Sequence, residues 1–226
     1  MTNHNLVNEP IINPHKPPRF IAVEGPIGVG KTTLARRLAD SLGFHQLLEK
    51  ADDNPFLARF YANQRHAALS AQLFFLFQRA QQLSDLRQSD LFEQTHVADF
   101  VFQKDPLFAQ ITLDANELEL YRKVYQQVQI DVPTPDLVIY LQAPAKTLRE
   151  RIHQRGVNFE RNIDIDYLEK INGAYSEYFH SYQDSPLLII NAAEIDFAHN
   201  DQQYEQLLQY LLEIRSGRHY FNPTFF

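Results

Sequence analysis

A chain of 226 residues, 44% of them apolar and 12% aromatic, is long enough to bury a full core as one domain. Its formal charge of −7 argues against a nucleic-acid polymer as partner, since such binders present a net basic footprint, and leaves room for a small anionic ligand that needs only local positive charge. The absence of cysteine excludes disulfides, thiolate metal sites and cysteine nucleophiles and fits a reducing cytoplasm; no apolar run approaches the roughly 20 residues of a membrane helix.

Residues 1–18 carry Pro10, Pro14, Pro17 and Pro18 among Asn and His, without the charged start and apolar stretch of a secretory signal. A flexible tail is expected there, with a single domain over 19–226. Phe20-Ile21-Ala22-Val23-Glu24 is a short apolar run with strand character. It leads into Gly25-Pro26-Ile27-Gly28-Val29-Gly30-Lys31-Thr32, which fits the P-loop pattern G-x-x-x-x-G-K-[ST] without a mismatch, and the residues from Thr33 to Asp40 repeat leucines at helical spacing. In such a strand, loop and helix, backbone N–H groups turn inward onto phosphate oxygens and the helix that begins near Lys31 adds its positive end. Lys31 is then placed to reach the β- and γ-phosphates of a nucleoside triphosphate, and the Thr32 hydroxyl to hold Mg²⁺.

His45 to Glu49 reads as a second strand, followed by a turn at Asp52-Asp53-Asn54-Pro55. An aromatic-rich helical stretch runs from Pro55 to Leu86, with a break near Asn63. Thr95 to Phe100 is a third strand that ends on Asp99, and Asp114-Ala115-Asn116-Glu117 has the capping-box spacing that opens a helix through Val128. Pro135 to Leu141 is a buried strand by its continuous apolar run. Lys146 to His153 and Asp166 to Tyr182 read as helices flanking an arginine-bearing segment, Leu187 to Asn191 as the last strand and Tyr204 to Ile214 as the last helix. Strands alternating with helices predict an α/β fold, a parallel sheet of about five strands with helices on both faces, whose ligands bind at the carboxyl ends of the strands.

Phosphoryl transfer calls for positioning and charge neutralisation more than covalent help. Asp99 at a strand end is a candidate metal ligand opposite Thr32; as a helix cap it would serve structure alone. Glu49, at the tip of the strand after the P-loop strand, can accept a proton from an attacking hydroxyl or stand as a solvated loop charge. Arg149, Arg151, Arg155 and Arg161 cluster around Arg155-Gly156-Val157-Asn158. Arg151 and Arg155, one turn apart, either close over the transferring group as a lid or form a solvated helix face. The nine histidines show no metal-ligand spacing.

Taken together in this order, the segments resemble the deoxynucleoside kinase family, in particular its bacterial purine-deoxynucleoside members, over nearly the whole chain after the tail. Glu49 to Leu57, EKADDNPFL, looks like the family's general-base segment. Tyr61, Gln72 and Arg79 stand at spacings similar to its sugar-binding tyrosine, base-reading glutamine and pocket arginine. Arg151, Arg155 and Glu160 resemble its lid, whose glutamate joins the tyrosine on the deoxyribose 3′-hydroxyl, and Asp196-Phe197 resembles the loop bordering the adenine of ATP. The resemblance implies a P-loop kinase fold and ATP- and Mg²⁺-dependent phosphorylation of a deoxynucleoside, by a cytoplasmic homodimer without a membrane partner. Its ATP site would comprise residues 25 to 33 with Arg151, Arg155, Asp196 and Phe197. Its acceptor site would comprise Glu49, Tyr61, Gln72, Arg79, Asp99 and Glu160. Gln72 and Arg79, seven apart, can face one cleft; of Phe74, Phe75 and Phe77 one or two would stack on the base and the rest belong to the core. Two departures stand out. The family follows its strand-end acid with arginine where this chain has Asp99-Phe100, a role left to Lys104, and Val157 replaces a further lid arginine. A nucleoside monophosphate kinase of the thymidylate kinase type, a non-catalytic nucleotide-binding regulator and an inactive relative are the rival readings.

Overall fold

The computed structural model describes residues 18–62, 64–88, 95–128, 133–161 and 163–222. The expected tail, apart from Pro18, and the expected break at Asn63 lie outside the described residues. Six strands form one sheet: β1 Phe20–Glu24, β2 His45–Leu47, β3 His96–Ala98, β4 Leu137–Gln142, β5 Leu187–Asn191 and β6 Arg218–Phe221. They are parallel throughout, in the order β2-β3-β1-β4-β5-β6. The continuous apolar runs of β1, β4 and β5 are buried on both faces, as strands of a parallel sheet covered by helices must be. The helices around it are α1 Lys31–Leu42, α2 Leu57–Ala62, α3 Gln64–Gln88, α4 Asp105–Thr112, α5 Ala115–Val128, α6 Ala145–Arg155, α7 Ile165–His180 and α8 Asp201–Glu213.

The sheet has one strand more than expected. β6 is an edge strand, Arg-His-Tyr-Phe, whose Phe221 alone is buried while Tyr220 stays 67% exposed, so no apolar pattern announces it. Helix α4 was likewise not anticipated, although Pro106 in its first turn is a start signal. The capping box forms as read: Asp114 Oδ1 accepts from the N–H of Asn116 at 2.9 Å and of Glu117 at 3.0 Å, and Glu117 Oε2 accepts from the Asp114 N–H at 3.3 Å.

Two features place the site. The chain leaves β1 toward β2 and β3 on one side and returns to β4 on the other, so the carboxyl end of β1 is the switch point where a crevice opens. Along α3, Ala68, Gln72, Leu76, Arg79 and Leu83 recur every three or four residues and are all buried, which turns an amide and a guanidinium inward with the leucines. Phe77, five positions from Gln72, projects from another face and is 52% exposed, so it is not the core residue expected of it. Among the described residues no helix is long and apolar enough to cross a membrane.

Candidate active site

The P-loop bends where only glycine fits. A Cβ on Gly28, at φ +80, would sit 2.7 Å from Ile152 Cγ1 and 3.0 Å from the Leu148 carbonyl of α6, so the loop is pressed against the arginine-bearing helix. Lys31 folds back over the loop and donates to the carbonyls of Gly25 at 2.8 Å and Pro26 at 3.2 Å. Burial, and next to it the Lys104 ammonium, lower its pKa to about 8, against the pull of Glu24, Glu49 and Asp99. The Thr32 hydroxyl donates to Asp99 Oδ2 at 2.5 Å, and Asp99 Oδ1 accepts from the Glu49 N–H at 2.7 Å. Burial raises the Asp99 pKa in spite of these two hydrogen bonds.

The strand expected to run to Glu49 stops at Leu47. Pairing of His45 with His96 and Leu47 with Ala98 brings the two strand ends level, and the Glu49–Asp99 bond follows from that register. Glu49 Oε1 accepts from Arg79 Nε at 2.8 Å and from Nη2 of the same guanidinium, with Lys104 Nζ at 3.6 Å. Burial alone would raise its pKa; Arg79, Lys104 and Lys31 together overcome this and hold it at about 2. Arg79 is engaged on its other side too, with Nη1 2.9 Å from Asp105 Oδ2. The guanidinium therefore spans two carboxylates.

Two cavities open at this end of the sheet. The first, with 140 Å³ of space, is lined among others by Glu49, Tyr61, Gln72, Phe75, Arg79, Asp99, Lys104, Arg155 and Glu160, and so gathers every residue of the expected acceptor site. The second, of 810 Å³, runs along residues 28 to 33 to Arg151, Arg155, Asp196 and Phe197, with Gly25 and Pro26 contributing the carbonyls that hold Lys31. Arg151 donates to the carbonyls of Val29 at 3.1 Å and Ala192 at 2.7 Å, Arg155 pairs with Glu160, and Phe159 stacks on Tyr61 at 6.0 Å and 7°. Burial is the largest cause that keeps the Tyr61 hydroxyl well above its usual pKa. Exposed Arg149 and Arg161 line neither cavity. Phe75 lines the first and lies against the Arg79 guanidinium, 5.1 Å from ring centre to Cζ.

Sequence reasoning missed one centre of this arrangement. Glu24 is fully buried and accepts from the N–H groups of Gly25 (3.0 Å) and Val101 (2.7 Å) and from the Tyr175 hydroxyl (3.0 Å), with Lys104 Nζ 3.2 Å away. The available signal was a carboxylate at the end of an otherwise apolar strand. Lys104, 2% exposed, stands between Glu24 and Glu49, while Phe100 is buried.

Comparison with known proteins gives one consistent picture. The deoxynucleoside kinase family model matches residues 21–214. The chain is similar to deoxyguanosine kinase of Bacillus subtilis, 36% identical over 200 residues that cover 86% of this chain and 97% of the relative, and to deoxyadenosine kinase of Lactobacillus acidophilus, 28% identical over 84% and 94%. A solved structure of deoxyadenosine kinase from M. mycoides with bound dCTP superposes with a TM-score of 0.74 at 27% identity, covering 86% of this chain and 100% of that one.

Proposed function

The chain belongs to the deoxynucleoside kinase family, and on that premise we propose that it transfers the γ-phosphoryl group of ATP to the 5′-hydroxyl of a purine deoxynucleoside. One observation carries the reading. The two cavities share Gly28, Lys31, Thr32 and Arg155 as a common wall, so a triphosphate laid along the P-loop ends where a nucleoside in the smaller cavity begins. The curated relatives named for deoxyguanosine and deoxyadenosine support the purine.

In this reading Lys31 leaves the Gly25 and Pro26 carbonyls for the β- and γ-phosphates, and Arg151 and Arg155 offset the charge that develops on the moving group. Glu49 accepts the hydrogen bond of the 5′-hydroxyl. Held at about 2, its carboxyl is charged at any working pH but a weak base. Its part is to aim the hydroxyl oxygen and to take the proton late, once the forming O–P bond has made it acidic. Tyr61 and Glu160 meet the 3′-hydroxyl, Gln72 an edge of the base and Phe75 its ring. Thr32 and Asp99 are oxygen donors in contact, and among the described residues no group of three or more acidic or histidine side chains gathers as a metal cage. Such a sparse oxygen pair fits Mg²⁺, which keeps water and phosphate in most of its shell and would neutralise phosphate charge there. A homodimer rests on the likeness to the family, and the cysteine-free composition is compatible with the cytoplasm. A monomer by light scattering at assay concentration would remove the first of these.

The test is purified protein with Mg²⁺-ATP and a panel of deoxynucleosides, ribonucleosides and dTMP, scored for phosphorylated product. Deoxyguanosine or deoxyadenosine should yield the 5′-monophosphate fastest. Product from dTMP alone sinks the proposal, because the Glu49 carboxylate in the acceptor cavity should repel a phosphorylated acceptor.

A further inference from the structure

The Gln72 amide meets the hydroxyl of Thr112, the last residue of α4, with Nε2 3.3 Å from Oγ1. That hydroxyl has a single proton and gives it to the Phe108 carbonyl one turn back, 2.7 Å away. Thr112 Oγ1 therefore faces Gln72 as an acceptor, and only the NH₂ end of the amide satisfies it. A flipped amide would set Oε1 against an oxygen lone pair. Gln72 is 5% exposed and lines the acceptor cavity, and its Oε1 has no hydrogen-bond partner among the described residues. What the side chain keeps for a ligand is one acceptor and one N–H donor.

Resting on the nucleoside-kinase reading, we propose that Thr112 is the positioning residue for base recognition, fixing the Gln72 amide so that it reads a base edge in which a donor stands beside an acceptor. Adenine's amino group with an adjacent ring nitrogen, or guanine's N1–H with O6, meets that demand; guanine's O6 with N7 presents two acceptors to a single donor and is not read. Thr112 is absent from the cavity wall and acts only through Gln72.

The experiment compares wild type, Thr112→Val and Thr112→Ser across the four deoxynucleosides. Valine keeps the shape and removes the acceptor, so the amide can turn. The value of kcat/KM for the preferred purine should fall about three- to tenfold, through nucleoside KM rather than kcat, and the ratio between the two purines should shift, while serine restores both. Thr112→Ala, which adds no bulk, serves in place of valine if that variant does not fold. Unmoved KM and purine ratio in the valine or alanine variant overturn the assignment, as does a serine variant no better than valine. A wild-type protein that phosphorylates no deoxynucleoside overturns the underlying reading and this assignment with it; wild-type turnover with an unmoved variant overturns only the assignment.

Discussion

Arg79→Met tests whether one guanidinium holds the acceptor side of the site together. The Asp105 side chain is fully buried, that of Arg79 is 4% exposed and that of Glu49 20%, and the guanidinium touches both carboxylates. Methionine keeps an apolar stem and withdraws the charge. Lys104, 3.6 Å from Glu49, still attends that carboxylate, so the loss concentrates on Asp105. Both Asp105 oxygens are buried without an aligned hydrogen bond, and the nearby Tyr121 hydroxyl is a neutral donor that cannot replace the guanidinium charge. Breaking a buried pair by removing one partner costs about 3–5 kcal/mol. The pH dependence has a definite sign. Burial lifts the Asp105 pKa above its usual value even with Arg79 beside it, and without the cation it rises further. A carboxyl with a raised folded-state pKa keeps its stability below the unfolded value and loses it as pH rises through the folded one. The deficit of Arg79→Met should therefore be larger at pH 8 than at pH 5 by urea denaturation, and adding Asp105→Asn should recover most of it. A loss under about 1 kcal/mol at pH 8, or a double variant no more stable than the single, refutes the reasoning.

Glu49→Gln should lower kcat by about 10²- to 10⁴-fold at saturating ATP and nucleoside, and turnover near wild type removes Glu49 from its role. Because its carboxyl is held at about 2, the wild-type rate profile should show no acidic limb from Glu49 above about pH 4. With Lys31 at about 8 in the free protein, kcat/KM for ATP should fall above about pH 8 as the ammonium loses its proton. Lys31→Arg, which stays charged, should abolish that limb, and an unchanged limb assigns it to another group. Gly28→Ala should raise the KM for ATP, adding about 1–2 kcal/mol of left-handed strain to the clash with Ile152 and Leu148. Gly43→Ala carries the same kind of strain at φ +67 with open space around it, and an equal rise in KM there would mean that strain alone is responsible.

How far the site was legible depends on whether its parts are encoded locally. The P-loop and the Asp114 capping box are fixed spacings that dictate their own backbone, and both form as read. Glu49 and Asp99 were legible for a topological reason, since acids at the ends of parallel strands face one crevice whatever the strands' exact lengths. Gln72 and Arg79 shared a helix face by their spacing. Asp105 is 26 positions from Arg79 and belongs to the site only through the packing of α4 on α3, for which no local pattern exists. β6 escaped because an edge strand with one buried side chain has no periodicity to betray it.

The same long-range pairings sort the cations by what they are able to do. Arg79 and Lys104 lie against carboxylates, Glu49 and Asp105 for the first and Glu24 and Glu49 for the second, so leaving them would strand buried negative charge. Lys31 and Arg151 are held by neutral carbonyls and have no ion pair within 4 Å among the described residues. Exchanging a carbonyl for a phosphate oxygen replaces a hydrogen bond to a neutral acceptor with a stronger one between two charges. The two inner cations are thus fixed parts of the acceptor wall, while the two tied to carbonyls are free to follow a phosphate along the P-loop. Arg155 falls between these classes. Its side chain is 49% exposed, so solvent screens the guanidinium, but its partner Glu160 is 8% exposed and departure of the guanidinium would leave that carboxylate buried without its cation.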